Sequence, residues 1–131
     1  MRSEFAHILR RRGELDEALV IYKETVPRWL ELGHLSAVAH EFECLAVLAV
    51  ARRQPERAAC LLGAAQALRT RLHSEMEPHE RPDYEATLAS IRLQLDQAAL
   101  QSTWNTGETM SLEQAVAYAL GDNSLKPVLS S

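Results

Sequence analysis

The chain of 131 residues is poor in aromatic residues, glycine, proline and cysteine. Aromatic residues make up 5% of it, and five glycines and five prolines are too few for the many turns of a β-sandwich or barrel. Two cysteines cannot supply the several disulfides on which small secreted domains depend. The longest aliphatic run, Leu45 to Ala51, is far shorter than the roughly 20 residues of a membrane span. These absences point away from β-rich, disulfide-rich and transmembrane classes.

The chain also lacks a basic surplus, because its formal net charge is −4 and its pI about 5.7. Nucleic-acid-binding domains usually carry excess positive charge, so we expect no direct contact with nucleic acid. The run Arg10 to Arg12 is a basic exception, but it precedes Gly13, where cations in the last turn of a helix oppose the dipole favourably. The N-terminal residues show no apolar segment of a signal peptide, so a cytoplasmic protein is expected.

Hydrophobic residues make up 47% of the chain, mostly alanine and leucine, which are strong helix formers. Their spacing of three and four residues predicts an all-α domain with amphipathic helices. Pro27 falls inside the second helix, where we expect a kink. Two prolines and many charges predict that residues 73–83 form an exposed loop. Seven helices are predicted, over residues 3–12, 15–32, 35–53, 55–72, 82–95, 96–105 and 111–120.

The first two helix pairs are related by a shift of about 40 residues. Ala6 falls on Ala46 and Ala18 on Ala58, so a small residue recurs where two helices must approach closely. A repeating helix pair is typical of a solenoid. We therefore predict a single domain, residues 1–120, containing an α-solenoid of about three antiparallel helix pairs and a C-terminal capping helix. The pairs are expected at about residues 3–33, 35–73 and 81–107, the capping helix at 111–120, and a disordered tail or linker at 121–131.

Two segments carry a resemblance to a known family. GELDEALVIYKE, residues 13–24, resembles the turn and second helix of a tetratricopeptide repeat. QPERAACLLGAAQALR, residues 54–69, is followed by Tyr84, Trp104, Gly107 and the segment MSLEQAVAYAL, residues 110–120. That order resembles the C-terminal helical region of LuxR- and AfsR-type ATP-dependent transcriptional regulators and related ATPases. The resemblance covers residues 54–120.

The resemblance implies a tetratricopeptide-like sensor or interaction region attached to a nucleotide-binding domain. The chain itself contains no glycine-rich phosphate-binding motif with Lys-Ser or Lys-Thr. We therefore expect a fragment or a stand-alone remnant of such a regulator. The 40-residue period is longer than that of the usual tetratricopeptide repeat, so the geometry of the groove is left open.

The sequence contains few candidates for catalytic or metal-binding residues. His40 and Cys44 are four residues apart and share a helix face, but a closed metal site needs further ligands, and the sequence offers no second pair at matching spacing. The acids of residues 73–83 lie beside prolines and are expected to be solvated. We therefore predict no catalytic residues, no metal and no cofactor, and a protein that is not an enzyme.

The surface expected to bind a partner is the concave face, which the first helix of each pair lines in such stacks. Its basic part suits an acidic or amphipathic segment of a partner protein. The alternative is that this face contacts another repeat or subunit. The candidate residues are Ser3, His7, Arg10, Arg11, His40, Glu43, Val47 and Val50.

Two functions follow from this organisation. The first is a non-catalytic scaffold for protein–protein interaction in a signalling or transcription-regulatory ATPase. The second is a helical domain that senses a small-molecule effector; an all-α enzyme is a weaker third reading. Because no earlier repeat covers the first helix pair, we also predict self-association through that pair.

Overall fold

The computed structural model describes residues 3–121, and the predicted tail after Gly121 lies outside them. Within that range the chain forms helices and no strand, which confirms the all-α class. None of the described helices is long and apolar enough to cross a bilayer. The elements are α1 (Ser3–Arg11), α2 (Leu15–Leu32), α3 (Leu35–Ala51), α4 (Pro55–Leu72), a 3₁₀ turn (Pro78–Glu80), α5 (Arg81–Gln94), α6 (Gln97–Glu108) and α7 (Leu112–Leu120).

The helix ends lie close to the predicted ones because the signals for them are local. Gly33 ends α2 in the left-handed conformation with a φ of 76°, and its N–H donates to the carbonyl of Leu30. Pro55 opens α4 at a position where the missing N–H costs no hydrogen bond. Ser111 and Gln114 form the predicted capping box at the start of α7.

Helix α2 includes Pro27 and ends at Leu32, as predicted. Two other local features differ from the sequence-based expectation. The segment predicted as a loop contains the 3₁₀ turn, which is stabilised by reciprocal capping contacts between Glu77 and Glu80. Helix α6 runs through Gly107 to Glu108 rather than ending before it, because this glycine lies against the backbone of α4 instead of forming a helix end.

Successive helices pack side by side in the first two pairs. Helix α1 packs on α2, α3 packs extensively on α4, and α2 joins the pairs through α3. Helix α5 then packs on α3 and α4. Helix α6 packs along α4 far more than along α5, so α4 joins the two helices of the third predicted pair. Helix α7 turns back onto α2 and α4.

Alanine fills the tightest parts of the core. Ala6 and Ala18 have no exposed surface, and neither do Ala46 and Ala58 at the 40-residue shift. Small side chains at these positions allow helix backbones to approach closely, with larger side chains packed around them. The recurrence predicted from the sequence therefore coincides with fully buried positions in both pairs.

Candidate functional site

A groove opens between α1, α3 and the segment formed by the 3₁₀ turn and α5. It encloses about 570 Å³, including its open mouth. Helices α1, α3 and α5 are the first helices of the three predicted pairs, so the groove lies on the face that was expected to be concave. Six of the eight predicted residues line it: His7, Arg10, Arg11, His40, Glu43 and Val47.

The remaining residues of the groove come from elements that the sequence did not assign to it. Val50 of α3 is not among the lining residues, and the side chain of Ser3 lies outside the described part of the structure. The segment predicted as a solvated loop contributes His79, Glu80 and Asp83 instead. Sequence reasoning missed them because nothing in their local pattern indicates that α5 folds back onto α3.

Arg10 is held by partners and is not a free cation. Its Nε donates to the hydroxyl of Tyr22 at 3.3 Å, and its guanidinium lies 3.4 Å from the carboxylate of Asp83. Only 7% of the Arg10 side chain is exposed. Arg11, the next residue, lines the groove and remains exposed. The basic character predicted for this part of the groove is therefore available mainly at Arg11.

Tyr22 connects Arg10 to His7. The Tyr22 oxygen accepts from Arg10, which leaves its O–H to donate to Nδ1 of His7 at 2.6 Å. This assignment makes Nδ1 the unprotonated nitrogen of a neutral His7 ring. Burial, together with the positive charges of His40 and Arg10, lowers the pKa of His7 to about 4, in agreement with a neutral ring.

His40 lies between a thiol and two carboxylates. Its Nε2 is 3.6 Å from Sγ of Cys44, and its Nδ1 is 3.2 Å from Glu80 and 3.7 Å from Glu43. Burial disfavours the charged ring, but the contacts with Cys44 and Glu43 and the charge of Glu80 outweigh it and raise the pKa of His40 to about 10. The two histidine rings lie 5.2 Å apart, so the charge on one disfavours a charge on the other.

Glu43 is fixed by a bidentate ion pair with Arg69 of α4. The distances are 2.7 Å from Nε and 2.9 Å from the terminal nitrogen, and both side chains are about nine-tenths buried. Arg69 also lies 3.7 Å from Glu80. Burial disfavours the Glu43 carboxylate, but His40 and Arg69 outweigh it and lower the pKa of Glu43. The Glu43 carboxylate is therefore already paired with a guanidinium, which also lies near Glu80.

Three side chains with metal-binding atoms converge at the base of the groove. His7, His40 and Cys44 place one ligand atom each within 4.8 Å of one another. His40 and Cys44 are the pair that the sequence placed on one helix face. His7 comes from α1, 37 residues before Cys44, so spacing along the chain gave no signal for it. The sequence offered no second pair at matching spacing, and the third possible ligand is a single histidine from another helix.

Comparison of the chain with protein-family models, with curated proteins and with solved structures gives no match. The resemblance to LuxR- and AfsR-type regulators therefore stays a prediction from the sequence.

Proposed function

We propose that this chain is a non-catalytic interaction module that binds a segment of a partner protein in the groove between α1, α3 and α5. The observation that carries this proposal is that α1, α3 and α5, the first helices of the three predicted pairs, line one groove. Repeat proteins present their binding surfaces in this way. Six residues that the sequence assigned to the partner-binding face line this groove.

The chemistry of the groove suggests which segment it would accept. Arg11 offers an exposed positive charge at the edge, whereas the charge of Arg10 is already engaged by Asp83. Val47 is partly exposed and contributes apolar surface, above the buried Leu62. A short segment with one acidic side chain next to an aliphatic one would match both features.

A non-catalytic role fits the environment of the one thiol in the groove. Cys44, His40 and Glu80 are ordered as a nucleophile, a base and an orienting acid would be. However, Cys44 is only 2% exposed, and 3.6 Å between Sγ and Nε2 is longer than the usual reach of a catalytic pair. Both features favour a structural or ligand-holding role for Cys44.

The proposal is tested by capture of partners from an extract of the source cells. Arg11→Glu reverses the exposed charge at the groove and should remove at least about nine-tenths of the captured partner, the loss caused by about 1.4 kcal/mol. Arg12→Glu is the matched control, because Arg12 is exposed, pairs with Glu14 and does not line the groove. Equal capture by wild type and Arg11→Glu would remove the groove as the binding site.

A second candidate function is the sensing of a small-molecule effector. The favouring observation is that polar groups of Arg11, His40 and Glu80 converge with the apolar side chain of Val47 in one partly enclosed groove. A metabolite that binds only the native state raises the melting temperature by mass action. A rise that is present in the wild type and absent in Arg11→Glu, without any protein partner, would favour the sensor over the scaffold.

The larger context of the chain is proposed from the sequence resemblance alone. We infer that the module belongs to, or derives from, a signalling or transcription-regulatory ATPase, in which binding at the groove would alter an attached domain. The test is the reading frame of the gene. A nucleotide-binding domain encoded upstream in the same frame supports this origin, and a stop codon or an unrelated domain there contradicts it.

A further inference from the structure

The base of the groove has the donor atoms of a transition-metal site. We propose that His7, His40 and Cys44 together bind one divalent metal ion of the zinc class between α1 and α3. The proposal goes beyond the interaction function above and does not depend on it. It rests on the distances between the three ligand atoms, on the carboxylates next to His40 and on the metals that thiolate and imidazole ligands prefer.

The separations fit a tetrahedral ion. Zinc bonds of about 2.3 Å to sulfur and about 2.05 Å to nitrogen place the sulfur and a nitrogen about 3.6 Å apart at tetrahedral angles. Sγ of Cys44 lies 3.7 Å from Nδ1 of His7 and 3.6 Å from Nε2 of His40. The ligand atoms of the two histidines lie within 4.8 Å of each other, and two nitrogens on one tetrahedral zinc are about 3.3 Å apart, so the two rings move closer when the ion binds.

The carboxylates of Glu43 and Glu80 lie next to Nδ1 of His40 and so favour Nε2, which faces Cys44, as the nitrogen that binds the metal. Nδ1 is buried without a hydrogen bond, 3.2 Å from Glu80 and 3.7 Å from Glu43. With Nε2 on the metal, Nδ1 carries a proton for which these carboxylates are the nearest acceptors, as in the carboxylate–histidine–metal arrangement of many metal sites. The side chains of His40, Glu43 and Glu80 also lie close enough together to bind a metal ion, but Arg69 already pairs with the two carboxylates. An ion on that side would have to displace the Arg69 guanidinium.

The proton balance of binding is straightforward. Nδ1 of His7 is unprotonated and accepts a hydrogen bond from the Tyr22 hydroxyl. When the metal binds Nδ1, the Tyr22 hydroxyl loses this hydrogen bond. The Cys44 thiol loses its proton to solvent, and a charged His40 loses the proton on Nε2. The metal therefore replaces protons without oxidation or reduction, as metal binding to thiols and imidazoles generally does.

One thiolate and two imidazoles select the class of metal. Soft and borderline ligands of this type suit zinc, cobalt or copper and disfavour magnesium and calcium, which prefer oxygen. Three protein ligands leave a fourth tetrahedral position open toward the groove. A water molecule or a side chain of the bound partner could fill that position.

Titration of the intact, reduced protein with Co²⁺ tests the site, because tetrahedral cobalt with a thiolate ligand gives a thiolate-to-metal charge-transfer band in the near ultraviolet. We expect one Co²⁺ per chain, displaced by one Zn²⁺. Cys44→Ser should lose the band, and Cys60→Ser should keep it. Cys60 is the matched control because it is also buried but lies on α4 beside Tyr118 and Arg57.

Two further variants keep the test decisive if Cys44→Ser fails to fold. His7→Gln should keep the band but weaken Zn²⁺ binding about 100-fold or more, because loss of a direct ligand costs at least as much as the 10- to 100-fold effect of losing an outer-shell partner. Glu80→Gln should weaken it about 10-fold, since Glu80 acts as a positioning residue through His40.

Absence of a 1:1 cobalt complex in the reduced wild type would overturn the proposal. A band that survives Cys44→Ser, or one lost in Cys60→Ser, would do the same. An unchanged zinc affinity in His7→Gln would exclude α1 from the site. Partner capture is measured with a chelator present, so failure of the metal site and failure of the groove as a protein-binding surface remain distinguishable.

Discussion

Gly63 of α4 and Gly107 of α6 each lie against the backbone of the other's helix. A β carbon added to Gly63 would collide with the carbonyl oxygen of Trp104, and one added to Gly107 would collide with that of Cys60. Backbone atoms cannot rotate away as the end of a side chain can. The extensive packing of α6 on α4 therefore depends on two positions without side chains.

Gly63→Ala and Gly107→Ala should each destabilise the protein by about 1–3 kcal/mol, the usual cost of overpacking. In an exposed helix the same change stabilises by about 1 kcal/mol, so the sign of the effect is diagnostic. The free energy of unfolding is measured by urea denaturation. Gln66→Ala, on the exposed side of α4, is the control and should change it by less than about 0.5 kcal/mol. Stabilisation by either alanine would contradict the close crossing.

Removal of Arg69 should be costly because it leaves Glu43 buried without its bidentate partner. Arg69→Met is expected to lower the free energy of unfolding by about 3–5 kcal/mol. The double variant with Glu43→Met should recover much of that loss, because no uncompensated carboxylate remains at that position. A double-mutant cycle with a metal chelator present measures the coupling. Additive effects of the two substitutions would show that the pair is not formed.

Arg57 attaches the C-terminal helix to the rest of the fold. Its guanidinium donates to the carbonyl oxygens of Tyr118 and Ala119 at 3.1 and 3.0 Å and lies 5.0 Å from the centre of the Tyr118 ring. Arg57→Met should cost about 1.5–3 kcal/mol, the range for hydrogen bonds to a charged group. Hydrogen exchange in α7 should accelerate most. The exposed Arg71→Met serves as control, and faster exchange spread evenly over the chain would argue against a local attachment.

The first helix should mediate self-association. Phe5 and Ile8 lie one turn apart on α1 and are each about half exposed. Replacing both with serine should shift the chain toward monomer in light scattering at high concentration, because it removes apolar surface. Leu93→Ser, on α5, is the control because Leu93 is 89% exposed and lies on another helix. A wild type that remains monomeric at every concentration would contradict this prediction.

The sequence predicted the positions of the helices better than their packing in three dimensions. Helix ends depend on neighbours in the chain, such as the left-handed Gly33 or the Ser111–Gln114 capping box, and local patterns contain that information. The close contact at Gly63 is different, because a glycine inside a helix indicates that some neighbour approaches closely but not which one. Its partner helix could not be named, because the contact joins α4 to α6.

The residues of the groove also divide into those that local patterns predict and those that only long-range contacts bring there. Residues of α1 and α3 were predicted because their helical positions follow from periodicity. Asp83, Glu80 and His79 were missed because α5 returns to the groove through a segment that reads as a solvated loop. The pairing of Arg10 with Asp83 joins residues 73 positions apart, which no local pattern indicates. The proximity of His7 to His40 and Cys44 could not be predicted for the same reason, since His7 lies on α1.

Site-specific photo-crosslinking tests the role of the groove most directly. A photoreactive amino acid in place of Arg11 should form a covalent adduct with the partner in source-cell extract, because Arg11 is exposed and lines the groove. The same residue in place of Arg12, outside the groove, should form little or none. Adducts from position 12 or from Val20 of α2, with none from position 11, would contradict the account.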